Sequence, residues 1–254
     1  MKLLTLNTWG GKVHEPLLKF IEQRAEDTDI FCLQEVFSAT TDLEISDGAR
    51  ANLHQDVSKI LGAYRAFHSP KSKGYDYSGY IGKDLNFGNA IFIKKNIPIL
   101  SYDEMFNIVS DEGYDWGKNA IAKAQFMTIQ VDQAPLAICN FHGMWIKDTK
   151  KKDTPERIEQ SHHIRKILDS FSGEKIICGD FNLLPGGESI KILEKGMRNL
   201  IADYHVTSTR SQLYKKDIKF ADYILTSPGI KVKDFKVLPD EVSDHLALEL
   251  DFSI

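Results

Sequence analysis

The sequence has few cysteines, no long apolar run and no excess of positive charge. Three cysteines occur among 254 residues. All three lie within apolar stretches, which argues against a disulfide framework and against zinc ligation. No segment approaches the roughly 20 apolar residues that a membrane-spanning helix needs, and the apolar start of the chain is too short for a signal peptide. These absences predict a cytoplasmic, monomeric protein without a membrane span.

The net charge of the chain argues against some classes of binding partner. A net charge of −4 does not give the basic surface of a general duplex-DNA binder. A site rich in metal-binding carboxylates would leave the same acidic balance, so a nucleic-acid substrate stays open.

What is present is typical of a single globular domain over residues 1–254. Hydrophobic residues make up 42% and charged residues 27% of the chain, which is enough apolar material for a large core. There is no internal repeat at a solenoid period. Both hydrophobic periods, 2 and 3.6, occur, so the patterns predict an α/β protein in which strands outnumber helices.

The individual elements follow from these periods. Predicted strands are 2–6, 30–33, 90–93, 97–100, 121–131, 136–139, 176–178, 221–225 and 246–250. Predicted helices are 16–25, 49–61, 153–171 and a short one at 189–194. Residues 69–88 and 111–119 are predicted to be long irregular loops.

Polar side chains recur where the predicted strands end. The clusters are Asn7, Gln34-Glu35, Asn140 with His142, Asp180 with Asn182, Asp222, and Asp244-His245. Any one of them alone is ordinary, because a carboxylate after a strand is usually a solvated cap and a lone histidine is usually a satisfied surface or core group. Their repetition along the whole chain favours a single site at one end of the sheets.

The residue types suit one chemistry. Carboxylate and amide oxygens are hard ligands for Mg²⁺ or Mn²⁺. Histidines can donate hydrogen bonds to phosphate oxygens, and an aspartate beside a metal can orient a water for in-line attack.

These residues also carry a resemblance to a known family. The segments are Leu6-Asn7-Thr8-Trp9, Leu33-Gln34-Glu35-Val36, Asn140-Phe141-His142, Gly179-Asp180-Phe181-Asn182, Asp222-Tyr223-Ile224 and Ser243-Asp244-His245. In this order the chain resembles the endonuclease/exonuclease/phosphatase superfamily, which includes apurinic endonucleases, neutral sphingomyelinases and deadenylases. The resemblance implies a deoxyribonuclease-like four-layer sandwich, in which two packed mixed β-sheets are flanked by helices.

The resemblance also implies metal and water-activating roles. Glu35 resembles the principal Mg²⁺ ligand, with Asn7 and Asp244 assisting. Asp180 resembles the residue that orients or deprotonates the attacking water, and Asn182 the residue that steadies the phosphate or that water.

Two histidines match phosphate-contacting positions of the family. His245 resembles the one that contacts the scissile phosphate, with Asp222 fixing its tautomer and favouring its charged form. His142 resembles the second phosphate-contacting histidine of the sphingomyelinase and deadenylase branches.

The chain departs from the family pattern at two places. Many members have an arginine two residues before the aspartate that matches Asp222, where this chain has Phe220. After His142 comes Gly143-Met144-Trp145, where a leucine commonly follows the histidine. Both departures bear on how the substrate is held.

Aromatic and basic residues in the predicted loops are candidates for substrate binding. Tyr77 lies in the basic, tyrosine-rich stretch 69–88, and Trp116 and Trp145 are expected to border the same cleft. The alternative for the 69–88 stretch is that its aromatics only anchor it to the body. The basic cluster Lys147–Lys152 is interpreted as a solvated loop before the Asp153 helix, with binding of a polyanion as the alternative. Arg157 and Gln160 are interpreted as surface or packing residues.

The sequence therefore predicts a Mg²⁺-dependent hydrolase of phosphate esters, with a phosphodiester of a nucleic acid or nucleotide as the leading substrate. A phosphatase or phospholipase-C-type enzyme acting on inositol phosphate or sphingomyelin-like headgroups is the alternative. A catalytically silent binding module on the same fold is the alternative outside the enzymes.

Overall fold

Two six-stranded mixed β-sheets form the centre of the structure, a computed structural model that describes residues 1–41, 43–108 and 121–254. In chain order the described strands are β1 (Lys2–Asn7), β2 (Ile30–Ala39), β3 (Tyr64–Lys73), β4 (Tyr75–Asp76), β5 (Gly79–Tyr80), β6 (Leu85–Lys94), β7 (Ile99–Ile108), β8 (Ile121–Val131), β9 (Ala134–His142), β10 (Glu174–Asp180), β11 (Arg198–Asn199), β12 (Asp222–Thr226), β13 (Lys231–Val237) and β14 (Leu248–Ser253). The described helices are α1 (His14–Ala25), α2 (Leu53–Ile60), α3 (Pro155–Ser170), α4 (Glu188–Glu194) and α5 (Leu200–Asp203).

The sheets have matching topologies. The first has the order β13-β14-β1-β2-β6-β3 and the second β11-β12-β10-β9-β8-β7. Within the described pairings, each sheet contains one parallel pair, β1 with β2 and β9 with β10. A parallel pair needs a crossover connection, and α1 and α3 supply the two crossovers. The small hairpin of β4 and β5 stands apart from both sheets.

Apolar periodicity fixes the order of the layers. Leu17, Phe20 and Ile21 of α1 pack with α2 against one face of the first sheet. The opposite face of that sheet packs on the second sheet, where α3, α4 and α5 complete the large core. Each fully buried Leu, Ile or Phe contributes roughly 1.5–3 kcal/mol. The four-layer sandwich predicted from the sequence is confirmed.

A layer of buried amides joins the two sheets. Gln34 of β2 donates through Nε2 to Asn140 Oδ1 of β9 at 2.7 Å. Asn140 in turn donates through Nδ2 to Gln125 Oε1 at 2.9 Å and to the backbone oxygens of Leu33 and Ala90 at 3.2 Å. All three amide side chains are fully buried. Gln34 and Asn140, which the sequence places among the strand-end clusters, therefore lie between the sheets.

The structure corrects several predicted boundaries in the first half of the chain. The strand predicted at 97–100 is β7, which runs from Ile99 to Ile108, and the one predicted at 90–93 begins earlier, at Leu85. Strand β2 does not end at Leu33 but runs to Ala39, because a bulge between Leu33 and Val36 lets pairing with β6 resume. Residues 49–52 precede α2 instead of forming its first turn, and the preceding chain makes a 3-10 turn at Ser46–Gly48.

The long loop predicted for residues 69–88 is wrong. Strand β3 continues to Lys73 and pairs with β6 from Leu85 onward, with the β4–β5 hairpin between them. Ser69 and Ser72 face inward and are buried, so small polar residues hide the period-2 pattern of this strand. The second predicted loop, with Tyr114 and Trp116, lies outside the described residues.

Helix length bears on the membrane prediction. The longest described helix, α3, has 16 residues. Across the described ranges, no helix combines the length and apolar character that a membrane crossing requires.

A half-buried pair of histidines makes the stability of the fold depend on pH in the acid range. The rings of His54 on α2 and His68 on β3 lie 5.0 Å apart, and burial together with His68 lowers the pKa of His54 to about 4. The unfolded chain binds this proton near pH 6.5. The stabilising effect of keeping His54 neutral is therefore complete above pH 6.5 and is lost as the pH falls toward 4.

We expect His54→Gln to reduce this acid sensitivity. Between pH 6.5 and 5 the wild-type protein should lose about 1–2 kcal/mol of unfolding free energy through this group, and the variant should lose correspondingly less. Urea unfolding at a series of pH values measures the slope. His162→Gln, at an exposed position on α3, is the matched control, and equal slopes for all three proteins would contradict the assignment.

Candidate active site

Strand register in the second sheet places three predicted residues side by side. Asp180, the last residue of β10, is the register partner of His142 on β9 and of Asp222 on β12. Residues opposite one another on neighbouring strands point to the same face. The three side chains are also buried, so the sheet itself builds one wall of the site.

The first sheet contributes Asn7 and Glu35. Asn7 ends β1, and Glu35 sits in the bulge of β2 with a φ of 57°. The Nδ2 of Asn7 donates to Glu35 Oε1 at 3.1 Å and to Asp180 Oδ2 at 3.0 Å. Asn7 therefore joins a carboxylate of one sheet to a carboxylate of the other. The left-handed backbone at Glu35 is unfavourable for a non-glycine residue and turns its side chain out of the strand's normal alternation.

His245 is held by a buried carboxylate. Its Nδ1 lies 2.8 and 2.9 Å from the two carboxylate oxygens of Asp222, and Thr209 Oγ1 donates to Asp222 Oδ2 at 2.9 Å. Burial and Arg210 oppose the charged imidazole, but Asp222, Asp244 and Asp180 outweigh them and raise the pKa of His245. Nδ1 carries a proton in this pair, which leaves Nε2 facing Asp180 Oδ2 at 3.6 Å.

His142 has the opposite electrostatic setting. Burial and the neighbouring Lys71 ammonium lower the pKa of His142 to about 3, so the ring is neutral at neutral pH. Lys71 Nζ lies 3.3 Å from Nδ1; as the ammonium is the donor, the ring proton resides on Nε2. That nitrogen lies 3.8 Å from Glu35 Oε1 and 4.0 Å from Asp180 Oδ2. The site thus contains one neutral and one charge-prone histidine donor.

Asp180 lies at the centre of this arrangement and is held ionised. Burial would raise its pKa, but Lys151, His245 and other cationic groups outweigh it and hold the pKa of Asp180 well below its usual range. Its Oδ1 accepts the backbone N–H of Asn182 at 2.9 Å. The side-chain nitrogen of Asn182 donates to Gly143 O at 3.0 Å, so any contact of Asn182 with phosphate or water falls to its Oδ1.

The presence of glycine at position 143, one of the departures from the family pattern, is explained by the close approach of neighbouring backbone. Its N–H donates to Asp180 O at 2.7 Å. A Cβ at this position would lie 2.1 Å from Phe181 O, well inside contact distance. Only glycine lets the ends of β9 and β10 approach this closely, which brings the His142 and Asp180 loops together.

The residues expected to bind a divalent metal present suitable oxygens. Asp244 Oδ1 is buried and has no hydrogen-bond partner among the described residues, while its Oδ2 accepts from Arg210 Nη1 at 3.2 Å. Glu35 is partly open to the cleft, and Tyr77 Oη donates to its Oε2 at 2.6 Å. Asn7 Oδ1 already accepts the N–H of Trp9 at 2.9 Å and can offer one further lone pair. These oxygens are of the type that Mg²⁺ or Mn²⁺ prefers. Among the described residues, the groups whose ligand atoms lie close enough to share one ion contain Glu35 with His142 and Asp180, but not Asp244.

These side chains open into one cleft of about 640 Å³. It is lined by Trp9, Lys12, Glu35, Asp47, Lys71, Tyr77, His142, Trp145, Lys147, Lys151, Asp180, Asn182, Arg210, Tyr214, Lys216, Asp244 and His245. A larger groove of about 1,170 Å³ runs along residues 39–59, but it shares only Asp47 with the cleft. The ionisable cluster, not the volume, identifies the smaller cleft as the candidate site.

The aromatic residues expected to bind substrate have different positions. Trp145 lines the cleft and is 49% exposed, as a substrate-contacting ring would be. Tyr77 lines the cleft but is tied to Glu35, so its contact is with an expected metal ligand. Trp116 lies outside the described residues.

Lys151 and Arg210 are among the cations that line the cleft and that the sequence interpretation did not place in the site. Lys151, interpreted as part of a solvated loop, is only 5% exposed, so that interpretation is wrong for this residue. Arg210 pairs with Asp244 and bridges to His245 through its backbone. Both lie in irregular segments, where no hydrophobic period predicts burial. Phe220, where many family members have arginine, packs against the main core instead.

Comparison with known proteins supports the same grouping of motifs. A family model described as Endonuclease/Exonuclease/phosphatase family matches residues 4–245. Among solved structures, an endonuclease/exonuclease/phosphatase family protein from Leptotrichia buccalis is 22% identical, with a TM-score of 0.72 and full coverage of both chains. A mannosyl-6-phosphatase from Bacteroides thetaiotaomicron is 16% identical, with a TM-score of 0.73 and full coverage of both chains.

A third similar structure is the catalytic domain of human Nocturnin with bound sulfate. It is 19% identical, with a TM-score of 0.67, and the match covers 100% of this chain and 93% of that one. At these identities the likeness concerns the fold alone. No significant match was found among curated protein sequences.

Proposed function

The chain belongs to the endonuclease/exonuclease/phosphatase family, whose members are generally phosphoesterases, and from this premise we propose that it is a Mg²⁺-dependent phosphodiesterase acting on nucleotide or nucleic-acid substrates. One observation carries the proposal. Glu35, Asp180, His142 and the His245–Asp222 pair, which lie far apart in sequence, converge at the bottom of one cleft.

The carboxylates and histidines have complementary tasks in such a reaction. Asp180 is ionised and lies among donors, so it is the acceptor that orients the attacking water. His245 and His142 present Nε2 donors from two sides, which suits the non-bridging oxygens of a phosphate as charge develops on them. A divalent metal held by Glu35 and Asp244 would add Lewis-acid polarisation of the phosphate.

The walls of the cleft support a polyanionic substrate with planar groups. Six lysine or arginine side chains face four carboxylates in the lining, and two of those carboxylates, Glu35 and Asp244, are expected metal ligands. Trp9, Trp145 and Tyr214 line the same cleft. Aromatic rings interleaved with cations bind bases by stacking and phosphates by charge, which favours nucleotides over inositol phosphate or sphingomyelin-like headgroups, because these headgroups have no planar base.

We expect the protein to hydrolyse bis-p-nitrophenyl phosphate faster than p-nitrophenyl phosphate in Mg²⁺, and to lose this activity in EDTA. Release of p-nitrophenolate measures both rates, and restoring activity with excess Mg²⁺ or Mn²⁺ shows that chelation is the cause. Oligonucleotides labelled at either end then separate internal cleavage from stepwise cleavage. Preference for the monoester, or equal turnover in EDTA, would contradict the proposed diester mechanism.

A further inference from the structure

Lys151 has a buried ammonium group without a partner. Its side chain is 5% exposed, and within the described ranges its Nζ has no hydrogen-bond acceptor. A buried cation that makes no hydrogen bond is unfavourable, because its lost hydration is not replaced. A fold that retains such a group at its active-site cleft is expected to use it for a ligand.

The loop that presents Lys151 is rigidly built. Asp148, Lys150 and Lys151 all have positive φ values, 62°, 49° and 61°, a left-handed backbone that is unfavourable for residues other than glycine. Arg157 on α3, which is 1% exposed, donates to the Thr149 hydroxyl at 2.8 Å and to loop backbone oxygens. A buried guanidinium thus holds the loop in a strained form that keeps the ammonium inside.

Lys151 lies where two spaces meet. It lines the active-site cleft together with Asp180 and His245. It also lines an adjoining depression of about 460 Å³, whose walls include Trp145 and Tyr214. A group bound in the depression and a phosphate bound at His245 would therefore both lie beside this ammonium.

The charged groups around Lys151 indicate where an anionic ligand of its ammonium would bind. Burial lowers the pKa of Lys151 to about 8, with Arg210 acting in the same direction and Asp180, Asp222 and Asp244 against it. The side chain is still protonated at neutral pH. The three carboxylates that attract it are those around His245, so an anion placed for His245 is within reach of Lys151.

We propose that Lys151 binds the scissile phosphate, its ammonium contacting a non-bridging oxygen beside His245 while the group that departs lies between Trp145 and Tyr214. The inference rests on the proposed function and adds a phosphate-contacting residue to it. A charge-assisted hydrogen bond in a dry cleft is strong and directional. A nucleoside fits the aromatic depression better than an aliphatic alcohol does.

Binding of inorganic phosphate tests the proposal without turnover. Isothermal titration in Mg²⁺ should show phosphate binding weakened by roughly 10- to 100-fold in Lys151→Met and in Lys151→Gln. Lys151→Arg, which keeps the charge, should bind more tightly than either. Lys152→Met, at the exposed neighbouring position, is the matched control and should bind like the wild type.

Thermal unfolding separates a binding role from a packing role. Lys151→Met removes a buried cation that makes no hydrogen bond, but also the attraction between that cation and Asp180, so its unfolding midpoint without phosphate should stay within about 5 °C of the wild-type value. A lower midpoint with unchanged phosphate affinity would overturn the proposal and assign Lys151 to packing. Unchanged affinity in both neutral variants would overturn it as well. If phosphate binding depends on Lys151 but no phosphate ester is hydrolysed, the phosphate contact stands and the proposed hydrolase function fails.

Discussion

Asp180→Asn should reduce kcat for diester hydrolysis by roughly 10³-fold while the protein stays folded. The substitution keeps the shape of the side chain but replaces one carboxylate oxygen by an NH₂ group. Asp180 Oδ2 accepts from Asn7 and faces Nε2 of His245 and of His142. An amide there either sets donor against donor or rotates away, and in both cases the attacking water loses its acceptor. Steady-state rates on bis-p-nitrophenyl phosphate measure the loss.

The control for this variant removes the same charge elsewhere. Asp132→Asn, at an exposed turn between β8 and β9, should leave kcat within about twofold of the wild type, because exposed charges contribute little. Circular dichroism and the midpoint of thermal unfolding establish that both variants are folded. Turnover by folded Asp180→Asn within a few-fold of the wild type would remove Asp180 from the reaction.

Glu35→Gln should weaken Mn²⁺ binding by about 100-fold and lower turnover by 10²–10³-fold at millimolar Mg²⁺. The glutamine keeps the size of the side chain but loses the charge that a divalent cation requires. Its NH₂ group also conflicts with a donor on one side or the other, because Tyr77 donates to Oε2 and Asn7 to Oε1. Calorimetric titration with Mn²⁺ measures affinity independently of activity.

Tyr77→Phe is the companion variant for this experiment. It removes the hydrogen bond to Glu35 while keeping the ring that packs on Phe37 and Phe87. Loss of such an orienting partner typically weakens metal affinity by 10- to 100-fold, so the effect should be smaller than that of Glu35→Gln. Equal Mn²⁺ affinities for the wild type and both variants would exclude Glu35 as a metal ligand.

The sequence predicts the fold well where the hydrophobic period is regular. Residues 121–131 form β8 with the predicted bounds, and Thr154 caps α3 as a helix-start pattern implies. Prediction failed where polar residues point into the core or between sheets. Ser69, Ser72 and the bulge at Glu35 have no signature in hydrophobic period, so β3 was predicted to be loop and β2 was predicted too short.

The residues of the candidate site also fall into those that the sequence predicts and those that it does not. Strand ends identify His142, Asp180 and Asp222 as neighbours, because strand register places them opposite one another, and Asn7 ends a strand of the other sheet and reaches Asp180 by a hydrogen bond. Lys151 and Arg210 could not be found this way, since their positions depend on irregular segments whose conformation is set by distant contacts. The burial of these two side chains depends on the packing of α3 and of the loop before β14.

The amide layer between the sheets bears on which parts of such a protein can vary in evolution. The hydrogen bond between Gln34 and Asn140 fixes the position of one sheet relative to the other. An apolar pair could be buried equally well, but it would allow the sheets to shift by one residue. Such a shift would move Asn7 and Glu35 away from His142 and Asp180. The loops around the cleft can therefore vary in shape and charge, which would change the substrate that binds. The alignment of the reacting groups is set by buried amides that do not contact the substrate.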